Sequence, residues 1–276
     1  MLDYTADKDL ANIKLLAVDM DLTLLADDGT QPEGMAERIA ALTEAGVVFC
    51  PASGRPGPTL EQMFPEHAAS IAFCPDNGGC VFYRGEKIYA SLIEPALCRE
   101  VFEAAMADGD AVPVLCAVDR SYLLERNRER TAEISKYFKD VRYVESPEEL
   151  DAGSDKVSIY FPGYDAEDRI ALYRPIFESR LNLTNAGREW LDFMNPGVSK
   201  GDGVAHLCEH LGIDIADAAA VGDTYNDISM LERVGHSFIV ANAEPHMEAH
   251  AKYRVPSNND RGVAILIDAI LAAKGR

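Results

Sequence analysis

Basic residues are scarce in this sequence. Against 46 Asp and Glu stand 26 Lys and Arg, leaving a formal charge of -20 over 276 residues. A surface of that sign repels nucleic-acid phosphates and anionic membranes, so neither is an expected partner. A small anionic substrate is still permitted, because fields are screened beyond about 8 Å at physiological salt and local groups dominate inside a cleft. Long apolar runs are missing too. The most apolar late stretch, residues 262–273, is interrupted by Asp268 and falls short of the ~20 residues that cross a bilayer. The N-terminus carries Asp3, Asp7 and Asp9 where an export signal needs a basic start, so a cytoplasmic protein is expected. Cys50, Cys74, Cys80, Cys98, Cys116 and Cys208 form no CxxC pair and sit mostly among apolar neighbours, which favours buried reduced thiols over a disulfide or zinc framework. Internal repeats and low-complexity tracts are absent as well, so solenoids and disordered tails are not expected.

What is there is a globular composition, 47% apolar and 26% charged, at a length that suits one large domain or two modest ones. The first strong element is Lys14-Leu15-Leu16-Ala17-Val18, the kind of run buried on both faces of a parallel sheet, and it ends abruptly in Asp19-Met20-Asp21. A helical pattern through Met35, Ile39 and Leu42 stops at Gly46 and is followed by the apolar run Val47-Val48-Phe49-Cys50, completing a βαβ unit. A further helix and the run 70–74 extend the alternation. The expected fold is α/β, a Rossmann-like, doubly wound parallel sheet. From about Val81 the texture changes to strands at 81–83, 114–116 and 157–161 mixed with helices at 95–107 and 166–180. After residues 190–194 the βα rhythm returns, with a helix at 200–211, a strand at 218–221, a helix near 227–234 and a strand at 238–240. The expected division is a discontinuous core of residues 1–80 and 187–276, with an α+β module of residues 81–186 inserted into it.

Asp19 and Asp21 stand just past a buried strand, where ligands of open α/β sheets bind. Side chains two apart in an extended segment share a side, so both acids reach one ligand if the turn begins there, with Met20 supplying backbone only. Paired acids also serve as solvated turn residues or helix caps, and one such pair does not decide between the two. A second acidic cluster, Gly222-Asp223-Thr224-Tyr225-Asn226-Asp227, again follows an apolar strand, and Gly222 permits close backbone approach. Carboxylates from two strand ends are hard oxygen ligands suited to Mg2+, which binds through a few side chains, water and a phosphate oxygen. Calcium is disfavoured, since no loop has the Asp-rich spacing of a calcium site. Ser53-Gly54-Arg55 is expected to open a helix, with Pro56 and Pro58 near its start. There the Ser53 hydroxyl and the Gly54 amide either bind a phosphate or merely cap the helix. Lys200 also stands at a helix start, where a cation opposes the helix dipole; a bound anion explains it, and a solvated surface charge is the plainer reading of a lone lysine.

Taken in order, DxDxT at 19–23, Ser53-Gly54-Arg55, Lys200-Gly201 and GDxxND at 222–227, with a large insert between the second and third, resemble the haloacid dehalogenase superfamily of phosphohydrolases. The insert's position, Pro75-Asp76-Asn77-Gly78-Gly79 before it and Asn242-Ala243 near the end are similar to the Cof-type phosphatases of that superfamily. The resemblance spans essentially the whole chain, although the middle module matches by position and size more than by residues. It implies a Mg2+-dependent phosphatase of small phosphorylated metabolites, of the sugar phosphate, pyridoxal phosphate or flavin mononucleotide class, with the inserted module as a cap domain. By resemblance Asp19 is the nucleophile that becomes an aspartyl-phosphate, and Asp21 is the acid and base. Mg2+ is then held by the Asp19 carboxylate, the Asp21 carbonyl and Asp223, while Asp227 orients the metal's waters or Lys200. Ser53, the Gly54 and Met20 amides, Lys200 and Asn226 would hold the phosphate oxygens.

One departure is Leu22, where many family members have glycine; it signals a different local turn or simple tolerance. Substrate choice is expected in the cap, where Arg84, Arg120 and Arg188 are candidates for a second anionic group, a surface role being the plainer reading of each. Asp192 matches a position usually acidic in the Cof-type group, which strand-edge solvation explains as well, and Trp190 and Phe193 read as packing. The rival readings are a phosphomutase sharing the same intermediate and a non-catalytic metal-dependent phospho-sensor. Retention of Asp21 argues against the sensor, which needs a long-lived phosphoaspartate.

Overall fold

The computed structural model describes residues 1–118, 120–138 and 140–276. Its chain divides into two compact units, the first made of Met1–Ser53, Glu61–Tyr89 and Ser199–Arg276, the second of Gly54–Leu60 and Ala90–Val198.

The first unit is built on a six-stranded sheet whose pairings are all parallel, in the order Leu2–Asp3, Tyr253–Val255, His236–Val240, Ala218–Gly222, Leu15–Val18, Val48–Pro51. Its three central strands are buried at every residue, which is why they read as unbroken apolar runs rather than as alternation. Leu15, Ala17, Ala218 and Ala220 pack with Val204 and Leu207 of the helix Lys200–Leu211 and with Met230 and Leu231 of the helix Ile228–Arg233. Leu16 and Val18 point to the opposite face and are equally buried. The helices Met35–Glu44 and Gly262–Ala273 pack against each other and against outer strands of the sheet. Winding reverses between Leu15–Val18 and Ala218–Gly222, which lie side by side with Val18 opposite Val221. That reversal is the switch point of a doubly wound sheet, and ligands bind at its carboxyl edge.

A small sheet of Ala72–Phe73, Cys80–Tyr83 and Glu86–Ala90 also belongs to the first unit. It corrects the expected start of the inserted module at residue 81. Val81 packs in the core cluster, and Cys80–Tyr83 pairs back onto Ala72–Phe73, so the hairpin stays with the core as far as Tyr89.

The second unit carries another six-stranded sheet, in the order Asn182–Asn185, Trp190–Met194, Lys156–Tyr160, Val112–Ala117, Arg120–Leu124, Val141–Val144, antiparallel except for the last pair. The helices Pro95–Ala107 and Ala166–Phe177 cover one face, with Val101, Phe102, Tyr173 and Phe177 against Leu115, Val157, Leu191 and Phe193. The other face holds an aromatic cluster of Phe138, Tyr160 and Trp190 with Val114 and Leu123. The expected return to the core at residue 187 is therefore corrected to Ser199, because Trp190–Met194 pairs antiparallel with Lys156–Tyr160. Among the described residues no helix is long and apolar enough to cross a membrane.

Candidate active site

Asp19 continues the first core strand by one hydrogen bond, its amide donating to the Val221 carbonyl at 3.0 Å. The chain then makes a single wide turn, Met20–Leu24, in which Leu24 N donates to Asp19 O at 3.2 Å and Leu25 N to Met20 O at 2.8 Å. Both bonds span five residues, a local widening that recurs at functional sites. The turn needs one left-handed residue, and Leu22 provides it at φ +60°, ψ 5°. The leucine thus adopts the backbone that glycine adopts without strain, at a cost of about 1 kcal/mol, and its side chain is left 49% exposed. Asp19 and Met20 are buried and Asp21 is exposed.

Lys200 is the centre of the buried chemistry. It begins its helix behind the Ser199 cap, whose hydroxyl accepts the Asp202 amide, and it is fully buried. Its ammonium donates to Asp19 Oδ1 at 2.5 Å and to Asp227 Oδ1 at 2.7 Å. The other Asp227 oxygen accepts the Asp223 amide at 2.9 Å and the Thr224 amide at 3.1 Å, so this carboxylate both holds the lysine and shapes the second acidic loop. Gly222 makes that possible, since a Cβ there would lie 2.5 Å from Asp227 Cβ. Thr23, the last residue of the DxDxT run, donates to Asp223 Oδ1 at 2.8 Å and joins the two acidic loops.

Asp19, Asp223 and Asp227 each bring a carboxylate oxygen within 4.8 Å of the others. Three carboxylates around one ammonium leave two formal negative charges uncompensated in a buried place. Burial, followed by the charges of Asp227 and Asp223, holds the Asp19 carboxyl well above the usual carboxylate range, while Lys200 pulls it down. Burial, followed by the Asp227 charge, pushes Asp223 up to about 6, while the Thr23 bond and Lys200 pull the other way. Burial opposes the charge of Lys200, but Asp19 and Asp227 outweigh it and raise that ammonium above its ordinary value. A divalent cation would balance the surplus, and a donor set of hard oxygens fits Mg2+.

The other sequence candidates are placed as follows. Ser53 is buried, with its amide donating to Cys74 O at 3.0 Å and its carbonyl accepting the Asn77 amide at 2.9 Å. It does not open the helix expected there. That helix runs Gly57–Met63, because Pro56 forces the preceding residue out of helical geometry, so Ser53 and Gly54 lie in the loop before it. The Gly54 carbonyl accepts Lys156 Nζ at 2.7 Å, and Lys156 is paired with Asp192 at 3.2 Å inside the second unit. Asp192 is therefore no solvated strand edge; it is a buried partner of Lys156 and of the Ser158 hydroxyl. Asn226 donates to Asn77 Oδ1 at 3.0 Å, so Asn77, whose backbone is left-handed at φ +52°, bridges the Ser53 and Asn226 loops. Direct bonds unite Asp19, Lys200, Asp227, Thr23 and Asp223. Sequence reasoning left Thr23 and Asn77 without roles, although both lay within quoted motifs. Arg84, expected in the cap, lies in the hairpin turn of the first unit with its guanidinium over the Tyr83 ring, whereas Arg120 and Arg188 belong to the second unit.

The family model for haloacid dehalogenase-like hydrolases matches residues 16–267. The 5-amino-6-(5-phospho-D-ribitylamino)uracil phosphatase YbjI of Escherichia coli strain K12 is 31% identical over 269 residues, covering 94% of this chain and 97% of that protein. The HMP-PP phosphatase of Cronobacter sakazakii is 28% identical over 240 residues, covering 86% and 87%. The crystal structure of SMU.1108c from Streptococcus mutans superposes with a TM-score of 0.82 at 25% identity, covering 94% of this chain and 99% of that one.

Proposed function

The chain belongs to the haloacid dehalogenase-like hydrolase family and is a phosphatase of it, and from that premise we propose that it hydrolyses phosphate monoesters of small metabolites through an aspartyl-phosphate formed on Asp19. The reading is carried by the buried group of Asp19, Lys200, Asp227 and Asp223 at the switch point of the sheet. In the first step an Asp19 oxygen bonds to phosphorus as the bond to the leaving oxygen breaks, and Asp21 gives that oxygen a proton. In the second, Asp21 takes a proton from water as the water oxygen attacks the phosphoaspartate, releasing inorganic phosphate and restoring Asp19. Exposure suits Asp21 to this exchange, because it must meet both the leaving group and water.

Lys200 uses two of its three ammonium hydrogens on Asp19 and Asp227, which leaves one for a phosphate oxygen and fixes the rotamer of the nucleophile. Ser53, the Gly54 and Met20 amides and Asn226 are assigned to the remaining phosphate oxygens. The Asp19 carboxylate, the Asp21 carbonyl and Asp223 would hold Mg2+, with Asp227 behind them through Lys200 and the Asp223 amide. When bound, the ion supplies charge neutralisation and polarises the phosphoryl group. We assign recognition of the leaving group to the second unit, because the core residues address only the phosphoryl group shared by all candidate substrates. The substrate class we propose is a sugar phosphate, pyridoxal phosphate or flavin mononucleotide type of metabolite. The named substrate of the E. coli relative has a phosphorylated ribityl chain on a nitrogen heterocycle, as flavin mononucleotide does.

The test is Mg2+-dependent release of phosphate from para-nitrophenyl phosphate, followed by a panel of phosphorylated metabolites. Asp19→Asn keeps the shape and removes the nucleophile, so turnover should fall below about 1% of wild type; more would refute the assignment. Asp21→Asn should still be phosphorylated by an activated ester, whose leaving group needs no proton, and intact mass after a rapid quench should show the added phosphoryl group. Recovery of an isomeric phosphate ester instead of inorganic phosphate would mark a mutase.

A further inference from the structure

The turn that carries Asp21 is gripped by two asparagines from the far end of the chain. Asn242 donates from Nδ2 to the Leu22 carbonyl at 2.8 Å, and its Oδ1 accepts the Asn258 amide at 2.9 Å. Asn258, only 2% exposed, donates from Nδ2 to the Leu25 carbonyl at 3.0 Å and to Asp27 Oδ1 at 2.9 Å. The Asp27 amide in turn donates to Asn259 Oδ1 at 3.1 Å. Four bonds therefore land on residues 22–27, spaced so that they bracket the exit of the wide turn.

The platform behind them is itself fixed. Asn242 stands two residues past the core strand His236–Val240. Asn258 lies in a loop closed by Gly262 N to Ser257 O at 2.9 Å, Arg261 N to Asn258 O at 3.0 Å and Ser257 Oγ to Asp260 Oδ2 at 2.7 Å. The loop leads directly into the buried helix Gly262–Ala273, and Gly262 is pressed so close that a Cβ would lie 1.9 Å from the Pro256 carbonyl oxygen. The turn needs such support because Leu22 disfavours the left-handed conformation it holds. If the Leu22 carbonyl were released, leucine would relax toward the right-handed or extended region, and rotation there would swing the adjacent Asp21.

We propose that Asn242 and Asn258 are positioning residues for proton transfer, holding the left-handed turn at Leu22 and thereby the place of the Asp21 carboxyl. Neither touches the substrate in this role. The inference rests on the reading of Asp21 as acid and base, and it makes Leu22 tolerable in a position where glycine alone would need no clamp.

The experiment compares Asn242→Ala, an exposed change, and Asn258→Ser on two substrates: para-nitrophenyl phosphate, whose leaving group needs no proton, and an alkyl phosphate that the wild-type enzyme turns over. In Asn242→Ala, kcat on the alkyl ester should fall about tenfold or more and kcat on the activated ester by less than about threefold, with KM near wild type for both. Adding Leu22→Gly to Asn242→Ala should restore most of the alkyl activity, because glycine occupies the left-handed region without support. A purely structural role would not produce that rescue. Equal losses on the two esters, or no rescue by Leu22→Gly, would overturn the proposal. Asp21→Asn is measured alongside. If it shows the leaving-group dependence and the asparagine variants do not, this inference alone fails; if Asp21→Asn lacks it, the role of Asp21 fails first.

Discussion

Lys200 occupies a place where a cation has little reason to be, at the positive end of a helix and fully out of water. Its two carboxylate partners supply the reason, and the pairing is mutual: without the ammonium, Asp19 and Asp227 would be adjacent buried anions. Breaking a buried pair by removing one partner costs about 3–5 kcal/mol, so Lys200→Met should lower the melting temperature markedly as well as depress every substrate alike. A variant that melts like wild type would show that the lysine is not bearing the charge of the group. The same crowding makes a prediction about pH. Asp223 is raised to about 6 from an ordinary 3.8, so the folded, metal-free protein retains a proton that the unfolded chain loses. Unfolding then releases protons between about pH 4 and 6, and stability falls as pH rises through that window and stays lower above it. On the proposed metal assignment Mg2+ would take the place of the proton, so it should raise the melting temperature at pH 7 and much less at pH 4.5, where it must compete with protonation. Thermal melts with Mg2+ and with EDTA at the two pH values decide the matter, and an equal shift at both would contradict the assignment.

At the scale of elements, the site is two strand-end loops fitted to each other with no room to spare. The strand Ala218–Gly222 ends in a glycine because Asp227 folds back over it, accepting the Asp223 and Thr224 amides. Gly222→Ala would place a methyl 2.5 Å from Asp227, so that carboxylate must move and release Lys200. Activity should drop by about a hundredfold, since displacements of about 1 Å cost that much, with secondary structure by circular dichroism unchanged. Activity within about twofold of wild type would mean that the loop has slack. How legible each element was depended on where its partners come from. Leu15–Val18 and the helix Lys200–Leu211 announce themselves through an unbroken apolar run and a local cap. Trp190–Met194 has the same appearance as a core strand and is one by composition; only its pairing with Lys156–Tyr160 assigns it to the second unit. The helix expected at Ser53 begins at Gly57 because Pro56 resets the start, a local cause that the motif overshadowed.

On the scale of the whole molecule, the charge of -20 surrounds a site whose substrate is itself an anion. Attraction must come from local groups, Lys200 and, on the proposed function, a Mg2+ ion held there, because the fields of acids more than about 8 Å away are screened at physiological salt. Division of the chain into two units predicts a division of effects. Substitution of Arg120 or Arg188, both in the second unit, should alter the ranking among phosphorylated metabolites while sparing para-nitrophenyl phosphate. Substitution of Ser53 or Lys200 should lower kcat/KM for all esters together. Arg84, in a hairpin turn of the first unit, serves as the comparison and should change neither. Measuring kcat/KM for three dissimilar esters in each variant checks this, and uniform losses from Arg120 and Arg188 would remove the second unit from recognition.

The sequence by itself determined the α/β class, the alternation of the core and the four short motifs, because each is a property of neighbouring residues: an apolar run, a glycine, an acid at a strand end. It also held Leu22 and the asparagines at 77, 242 and 258 without showing what they do. Asn258 meets Leu25 across 233 residues of chain, and Lys200 meets Asp19 across 181. Whether Leu22 meant a new turn or the old one was a question of backbone angle, which no residue name contains. Tertiary structure alone decided it, since the left-handed turn is held by hydrogen bonds from loops brought alongside only when the parallel sheet closes.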